Sequence, residues 1–263
     1  MNNFAQQLGK ITKQKKIGLM AHVVVGYPSI DETISLVNTM AASGVDIVEL
    51  QIPFSDPLAD GPTIMKACEI SLAQGTKVKD AFIVMKKLSQ AVVIPLLFMA
   101  YYNTVFKYGV EAFCRDAKNA GAVGLIVPDM SIDEEKEEGF YAACKKYDLH
   151  TIQVLSPAST EERIEKNVKV ASGFVYFTAR QGTTGAKEIL NPEIKTYLQK
   201  MKKYFSIPVA VGFGIAKKEH IEMLKGHADI AVVGSAVIDI ITTSPKEKIN
   251  ENVRRFFQDL MIQ

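Results

Sequence analysis

The sequence predicts an α/β fold, a closed (β/α)8 barrel of the TIM type, with extra helices and a phosphate site at loops 7 and 8. Three observations lead there. Short β-branched runs recur along the chain, each followed by a longer stretch of helical periodicity, which is the signature of parallel βα units. There are eight such runs. The last two end in glycine-bearing loops, where barrels of this kind commonly hold phosphate. At 263 residues, with 48% hydrophobic and 23% charged content, the chain is long enough to bury such a core, and no linker or charge block divides it. One catalytic domain over residues 1–263 is expected. A doubly wound open sheet is the competing architecture, because the same alternation would serve it.

The runs fall at Leu19–Val25, Asp46–Leu50, Pro95–Met99, Gly124–Val127, Thr151–Leu155, Phe174–Thr178, Pro208–Val211 and Ile230–Val233. Helix starts are legible between them. Ser29-Ile30-Asp31-Glu32 resembles a capping box, and Ser131-Ile132-Asp133-Glu134 and Ser159-Thr160-Glu161-Glu162 put acids in first turns. Gly109, Gly121 and Gly226 sit where helices begin or stop. Met20 and Met99 are expected to fill the core.

Charge and cysteine usage exclude several function classes. Lysine and arginine number 31 against 29 acidic residues, a net charge of +2 with the two signs interspersed, so nothing calls for nucleic acid or an anionic membrane. No stretch is long and apolar enough to span a bilayer, and the N-terminus lacks the pattern of a secretory leader. Cys68, Cys114 and Cys144 are far apart in sequence and fit buried free thiols in a reducing, cytoplasmic setting. The four histidines offer no metal-ligand spacing, so no metal is expected. His150, His220 and His227 read as solvated.

The second run closes on Glu49, and a loop stiffened by Pro53, Pro57 and Pro62 follows it and carries Asp56 and Asp60. A carboxylate at the C-terminal mouth of a barrel strand, with another in a rigid loop behind it, is how a barrel enzyme places an acid/base pair. Spacing does not choose between Asp56 and Asp60, and either would also serve as a helix cap. A Glu49 that merely reaches solvent is the plainer alternative. The loop after strand six, from Thr178 to Lys187, is polar, long and hinged by Gly182 and Gly185, which suits a lid or an ordinary surface loop. After strands seven and eight, Gly212-Phe213-Gly214-Ile215 and Gly234-Ser235-Ala236 would let backbone amides approach an anion without a Cβ in the way.

Glu49-Leu50 followed by Ile52-Pro53-Phe54-Ser55-Asp56-Pro57-Leu58-Ala59-Asp60-Gly61-Pro62-Thr63-Ile64 resembles the signature of the tryptophan synthase α subunit family. The likeness continues in order through Gly26-Tyr27-Pro28, Tyr101-Tyr102-Asn103, Val127-Pro128-Asp129, Gly173-Phe174-Val175-Tyr176, Gly182-Thr183-Thr184-Gly185 and the two glycine loops, and so covers nearly the whole chain. It implies a lyase of tryptophan biosynthesis that cleaves indole-3-glycerol phosphate to indole and glyceraldehyde 3-phosphate, with no cofactor on this chain. By this resemblance Glu49 is the acid/base and Asp60 the anion beside the indole nitrogen. His22, Tyr102, Tyr176 and Phe213 border the indole, while Gly185, Gly214, Gly234 and Ser235 hold the phosphate. Arg180, Gly182 and Thr184 belong to the lid, with Thr184 linking it to Asp60. The resemblance also implies a β subunit carrying pyridoxal phosphate in an α2β2 heterotetramer, docked on Pro53, Asp56, Pro57 and Asn103. A free-standing indole-releasing lyase and a catalytically weakened regulatory subunit of the β partner are the alternatives.

The chain departs from the family pattern near these positions. His22 stands where an aromatic residue is usual and Gln51 where glycine is, and both bear on the shape of the indole site. Met65 replaces Gln and Ser131 replaces Pro. Ala179 replaces Ser and Thr183 replaces Val in the lid, and Thr104 replaces the Pro after Asn103. His22 is read first as a hydrogen-bonded core histidine, since an imidazole beside an apolar ligand costs desolvation, and second as a group that tunes Glu49.

Overall fold

In the computed structural model, which describes residues 4–14, 17–178 and 192–261, eight parallel strands close on themselves. They are β1 (Gly18–Val24), β2 (Ile47–Gln51), β3 (Leu96–Met99), β4 (Gly124–Ile126), β5 (His150–Leu155), β6 (Val175–Thr178), β7 (Val209–Gly212) and β8 (Ile230–Val233). Each pairs with the next, and β8 returns to β1 from Gly18↔Ile230 to Ala21↔Val233. That last ladder rules out the open sheet. Each strand lies within a residue or two of the run that predicts it.

Strand residues alternate between two apolar layers, as the two-residue period of a strand requires. Met20, Ile47, Leu97, Met99, Ile126, Ile152, Ala210, Ile230 and Val232 fill the barrel. Leu19, Ala21, Val48, Leu50, Leu96, Phe98, Leu125, Val175, Val211 and Val233 face the surrounding helices. Both faces are buried, so the strands read as nearly continuous hydrophobic runs.

The helices are α1 (Phe4–Gln14), α2 (Ile30–Ala42), α3 (Pro62–Ala73), α4 (Val78–Ala91), α5 (Tyr102–Tyr108), α6 (Val110–Ala120), α7 (Glu135–Glu138), α8 (Phe140–Lys146), α9 (Glu161–Val168), α10 (Pro192–Tyr204), α11 (Lys218–Leu224), α12 (Ser235–Thr243) and α13 (Ile249–Leu260). The capping readings at α2 and α9 hold. Ser29 accepts the Glu32 amide and donates to the Glu32 carboxylate at 2.7 Å, and Thr160 caps the Arg163 amide. Helix α1 lies outside the βα alternation. Its Phe4 and Leu8 join the interior cluster, with the Phe4 ring 5.2 Å from His150 and 6.2 Å from Phe174, so it plugs the end of the barrel where the strands begin.

One expectation needs correction and one holds. The histidines read as solvated are packed: His150 lies edge-on to Phe4, His220 is buried with Nδ1 accepting the Ala216 amide, and Nδ1 of half-exposed His227 is buried. All three cysteines are buried and free, but Cys114 and Cys144, distant in sequence, meet with their sulfurs 3.7 Å apart between α6 and α8.

Candidate active site

Strand parity sets the site. In β2, Ile47 points into the barrel, so Glu49 and Gln51 must as well, one and two steps closer to the C-terminal mouth. Glu49 is only 2% exposed and does not reach solvent. A buried carboxylate costs several kcal/mol unless it is paired and hydrogen-bonded. The partner comes from the next strand. His22 lies opposite Glu49 in the β1–β2 register, and its Nδ1 is 2.9 Å from Glu49 Oε1. Glu49 Oε2 and His22 Nε2 are buried without a hydrogen-bond partner among the described residues.

The two carboxylates of the following loop separate. Asp56 is exposed and accepts the Ser55 hydroxyl. Asp60 is turned inward by a tight turn in which its amide donates to the Pro57 carbonyl at 2.9 Å. Its Oδ2 then accepts Gln51 Nε2 at 2.6 Å and the Tyr101 hydroxyl at 2.9 Å. The Ala59 amide donates to that same phenol oxygen, and Phe54 stacks on the Tyr101 ring at 5.3 Å. The structure therefore joins Asp60, not Asp56, to the strand that carries Glu49.

Tyr101 and Gln51 are the residues that sequence reasoning missed or treated only as a departure. A signal for Tyr101 existed. Leu97 and Met99 face the barrel interior, and two more residues along the same parity reach Tyr101. Tyr102, expected at the indole, has the opposite parity. Its hydroxyl donates to Glu138 of α7, its amide donates to Asp129, and its ring packs against Phe140.

Tyr176 on β6 and the end of β7 complete the mouth. A Cβ on Gly212 would lie 2.7 Å from the Tyr176 hydroxyl oxygen, so glycine is what lets this phenol lie against β7. Tyr176 itself is half-buried. Phe213 is half-buried, and Gly214 follows it with φ +80. Gly234 precedes α12 and Ser235 begins it, so the first amides of that helix face the mouth side without intrahelical partners. Arg180, Gly182, Thr184 and Gly185, with the departures Ala179 and Thr183, lie outside the described residues. On the neighbouring surface Asp56 and Asn103 are exposed, whereas Pro53 and Pro57 are buried and shape the loop from within. Leu58, at 92% exposed, and Phe106 are the large apolar side chains there.

Electrostatics tie these groups together. Burial by itself lowers the proton affinity of His22. The bond to Glu49, the charges of Glu49 and Asp60, and Gln51 outweigh it, and the pKa ends above the ordinary 6.5. Burial, followed by the charge and bond of Asp60, pushes the Tyr101 phenol far up, so it donates as a neutral hydroxyl. Desolvation and then the charges of Glu49 and Asp60 do the same to Tyr176. Desolvation foremost raises the nearby Cys68 thiol to about 11. Among the described residues no group of three or more His, Cys, Asp and Glu could hold a metal ion, and no helix is long and apolar enough to cross a membrane.

A (β/α)8 barrel with a buried, histidine-paired carboxylate and a second anchored carboxylate at its C-terminal mouth has the build of an acid/base barrel enzyme. Known proteins narrow that class. The family model described as tryptophan synthase alpha chain matches residues 8–260. A tryptophan synthase alpha chain of Desulfotalea psychrophila is 44% identical over 238 residues, covering 89% of this chain and 93% of its own. One from Petrotoga mobilis is 36% identical over 258 residues, 97% of this chain and 99% of its own. Among solved structures, tryptophan synthase subunit alpha of Legionella pneumophila superposes with a TM-score of 0.89 at 29% identity, over 99% of this chain and 97% of that one. A Mycobacterium tuberculosis tryptophan synthase chain gives 0.87 at 32% identity, over 96% of each. The chain belongs to the tryptophan synthase alpha chain family.

Proposed function

We propose that Glu49 and Asp60 carry out the alpha reaction of this family, retro-aldol cleavage of indole-3-glycerol phosphate to indole and glyceraldehyde 3-phosphate. The observation that carries the assignment is the buried Glu49, held at Oε1 by His22 with Oε2 unpartnered, on the strand whose last residue anchors Asp60. In the substrate complex Glu49 carries a proton at Oε2 and gives it to C3 of the indole ring. Positive character then develops at the ring N–H, and the fixed Asp60 carboxylate stabilises it with no reorganisation at the moment of reaction. Glu49, now a carboxylate, removes the proton of the adjacent glycerol hydroxyl. The carbon–carbon bond breaks, its electron pair returns to the ring, and the aldehyde forms. Glu49 ends as it began, and one carboxylate serves as acid and then base.

The remaining contacts follow the chemistry of the substrate. The amides at Gly214, Gly234 and Ser235 suit the phosphate, because a helix N-terminus offers free N–H groups and a favourable dipole. Tyr176 and Phe213 border the indole. The family pairs with a β subunit, and pyridoxal phosphate belongs to that subunit. We assign an α2β2 assembly docked on the face that exposes Asp56, Leu58, Asn103 and Phe106, which joins large apolar side chains to a polar rim. A cytoplasmic setting accords with three free buried thiols.

The test is indole release by wild type and Glu49→Gln, with and without a β subunit. Loss of one acid/base group is expected to lower kcat by about 10²- to 10⁴-fold while a phosphate-bearing ligand still binds. A variant that turns over like wild type would end the assignment. Release that is fast and indifferent to the β subunit would select the free-standing lyase, and tight ligand binding without turnover in wild type would select the regulatory role.

A further inference from the structure

Two polar side chains stand between the carboxylates, and they are neighbours. His22 and Gln51 both point into the barrel near its mouth, on adjacent strands whose register sets His22 against Glu49 and Val24 against Gln51. His22 holds Glu49 Oε1 and Gln51 holds Asp60 Oδ2. Each then has one buried polar atom left over, Nε2 of the imidazole and the carbonyl Oε1 of the amide. Those two atoms are complementary, an N–H donor and a carbonyl acceptor, and Gln51 acts on His22 in the sense that favours the protonated ring. The bonds run from Glu49 to His22 and from Gln51 to Asp60 and Tyr101, so the two leftover atoms belong to the two residues that would join these halves.

We infer that His22 and Gln51 are positioning residues that bind the two carboxylates into one unit. His22 occupies Glu49 Oε1 so that only Oε2 meets the substrate, and Gln51 holds Asp60 on the same strand frame. This rests on the reading of Glu49 and Asp60 as the reacting pair. No proton need leave the imidazole. When Oε2 gives its proton to the ring carbon, the carboxylate that forms is met at once by the N–H already on Oε1, and when Oε2 takes the hydroxyl proton that bond simply weakens. The groups around the imidazole are Glu49 from β2, Asp60 from the β2–α3 loop and, subject to the same two carboxylates, Tyr176 from β6. From the β8 end comes Gly234, which carries no charge and where an added Cβ would sit 3.6 Å from the Cβ of His22. Among the described residues no lysine or arginine takes part.

The experiment compares indole release by wild type, His22→Phe, His22→Asn, Gln51→Gly and the double variant His22→Phe/Gln51→Gly, each with the β subunit, and follows the His22 imidazole by NMR. His22→Phe keeps a ring but loses the donor. It is expected to lower kcat by about 10- to 100-fold, the cost of a misplaced reacting group, with KM nearly unchanged. His22→Asn restores an N–H donor without a titrating ring and should recover most of that loss, and it stands in where the phenylalanine variant does not fold. The double variant should lose less than the product of the single losses, as members of one network do. In wild type the imidazole should stay protonated to higher pH than in Glu49→Gln. Wild-type kcat and KM in both His22 variants, or a titration unmoved by Glu49→Gln, would overturn the inference alone. A wild type that releases no indole would overturn the lyase reading and this inference with it.

Discussion

The two sides of the barrel mouth are built in opposite ways. At β1 and β2 the working groups are side chains, buried and bonded to one another across strands: His22 to Glu49, and Gln51 and Tyr101 to Asp60. At β7 and β8 the proposed phosphate contacts are backbone, and the sequence there supplies mainly the absence of side chains, in Gly212, Gly214 and Gly234. The first arrangement stores its geometry in many weak contacts, so its parts fail together. The second depends on backbone conformation, so each position fails alone. Charge that appears only in the transition state calls for the first kind of site, and a phosphate present throughout is served by the second.

That contrast makes a kinetic split. Asp60→Asn removes the charge proposed to act during ring protonation, and it should lower kcat by about 10²- to 10³-fold while KM changes little, as steady-state indole release will show. Gly214→Ala adds a Cβ where nothing lies within 4 Å, so its cost is the φ of +80 alone. For an L-residue that is about 1–2 kcal/mol, and it should raise KM by at most about 5- to 30-fold, more than it lowers kcat. A normal KM with reduced kcat at Gly214 would break the comparison. The smallest effect concerns stability. Because the folded pKa of His22 is raised, the folded state holds its proton more tightly than the unfolded chain. The stabilisation from the His22–Glu49 pair is therefore fully present below the ordinary 6.5 and is lost as pH rises through the raised value. Urea midpoints should fall over that interval in wild type and stay level in His22→Phe, and parallel curves would remove the pair as a source of pH dependence.

What was legible in the sequence follows the same division. The eight strands were readable because burial on both faces leaves runs of β-branched residues, and the glycine loops were readable because glycine marks backbone work. The β2 carboxylate could be found from its position at a strand end. Choosing Asp60 over Asp56 could not, since both sit in one proline-stiffened loop and the decision lies with Tyr101, 41 residues away, and with Gln51. The likeness to the family favoured Asp60, but it gave no place to Tyr101 and set Tyr102 at the indole. His22 illustrates the limit in another way. Its partner is fixed by strand register over 27 residues, which no local pattern reveals. The packed His220 was missed for the opposite reason: its bond to the Ala216 amide is local, but it depends on a helix start that polarity alone does not mark.

Helix α1 has a consequence for traffic. With Phe4 and Leu8 packed into the interior cluster, the described residues close the barrel at the end where its strands begin, and the mouth is left as the way in and out. On the function proposed above, the phosphorylated product is the one that backbone near β7 and β8 would hold, and indole would be released beside Asp60 and the loop that exposes Leu58. The order of departure, and the destination of the indole, would then be decided by whatever covers that loop rather than by the pocket itself.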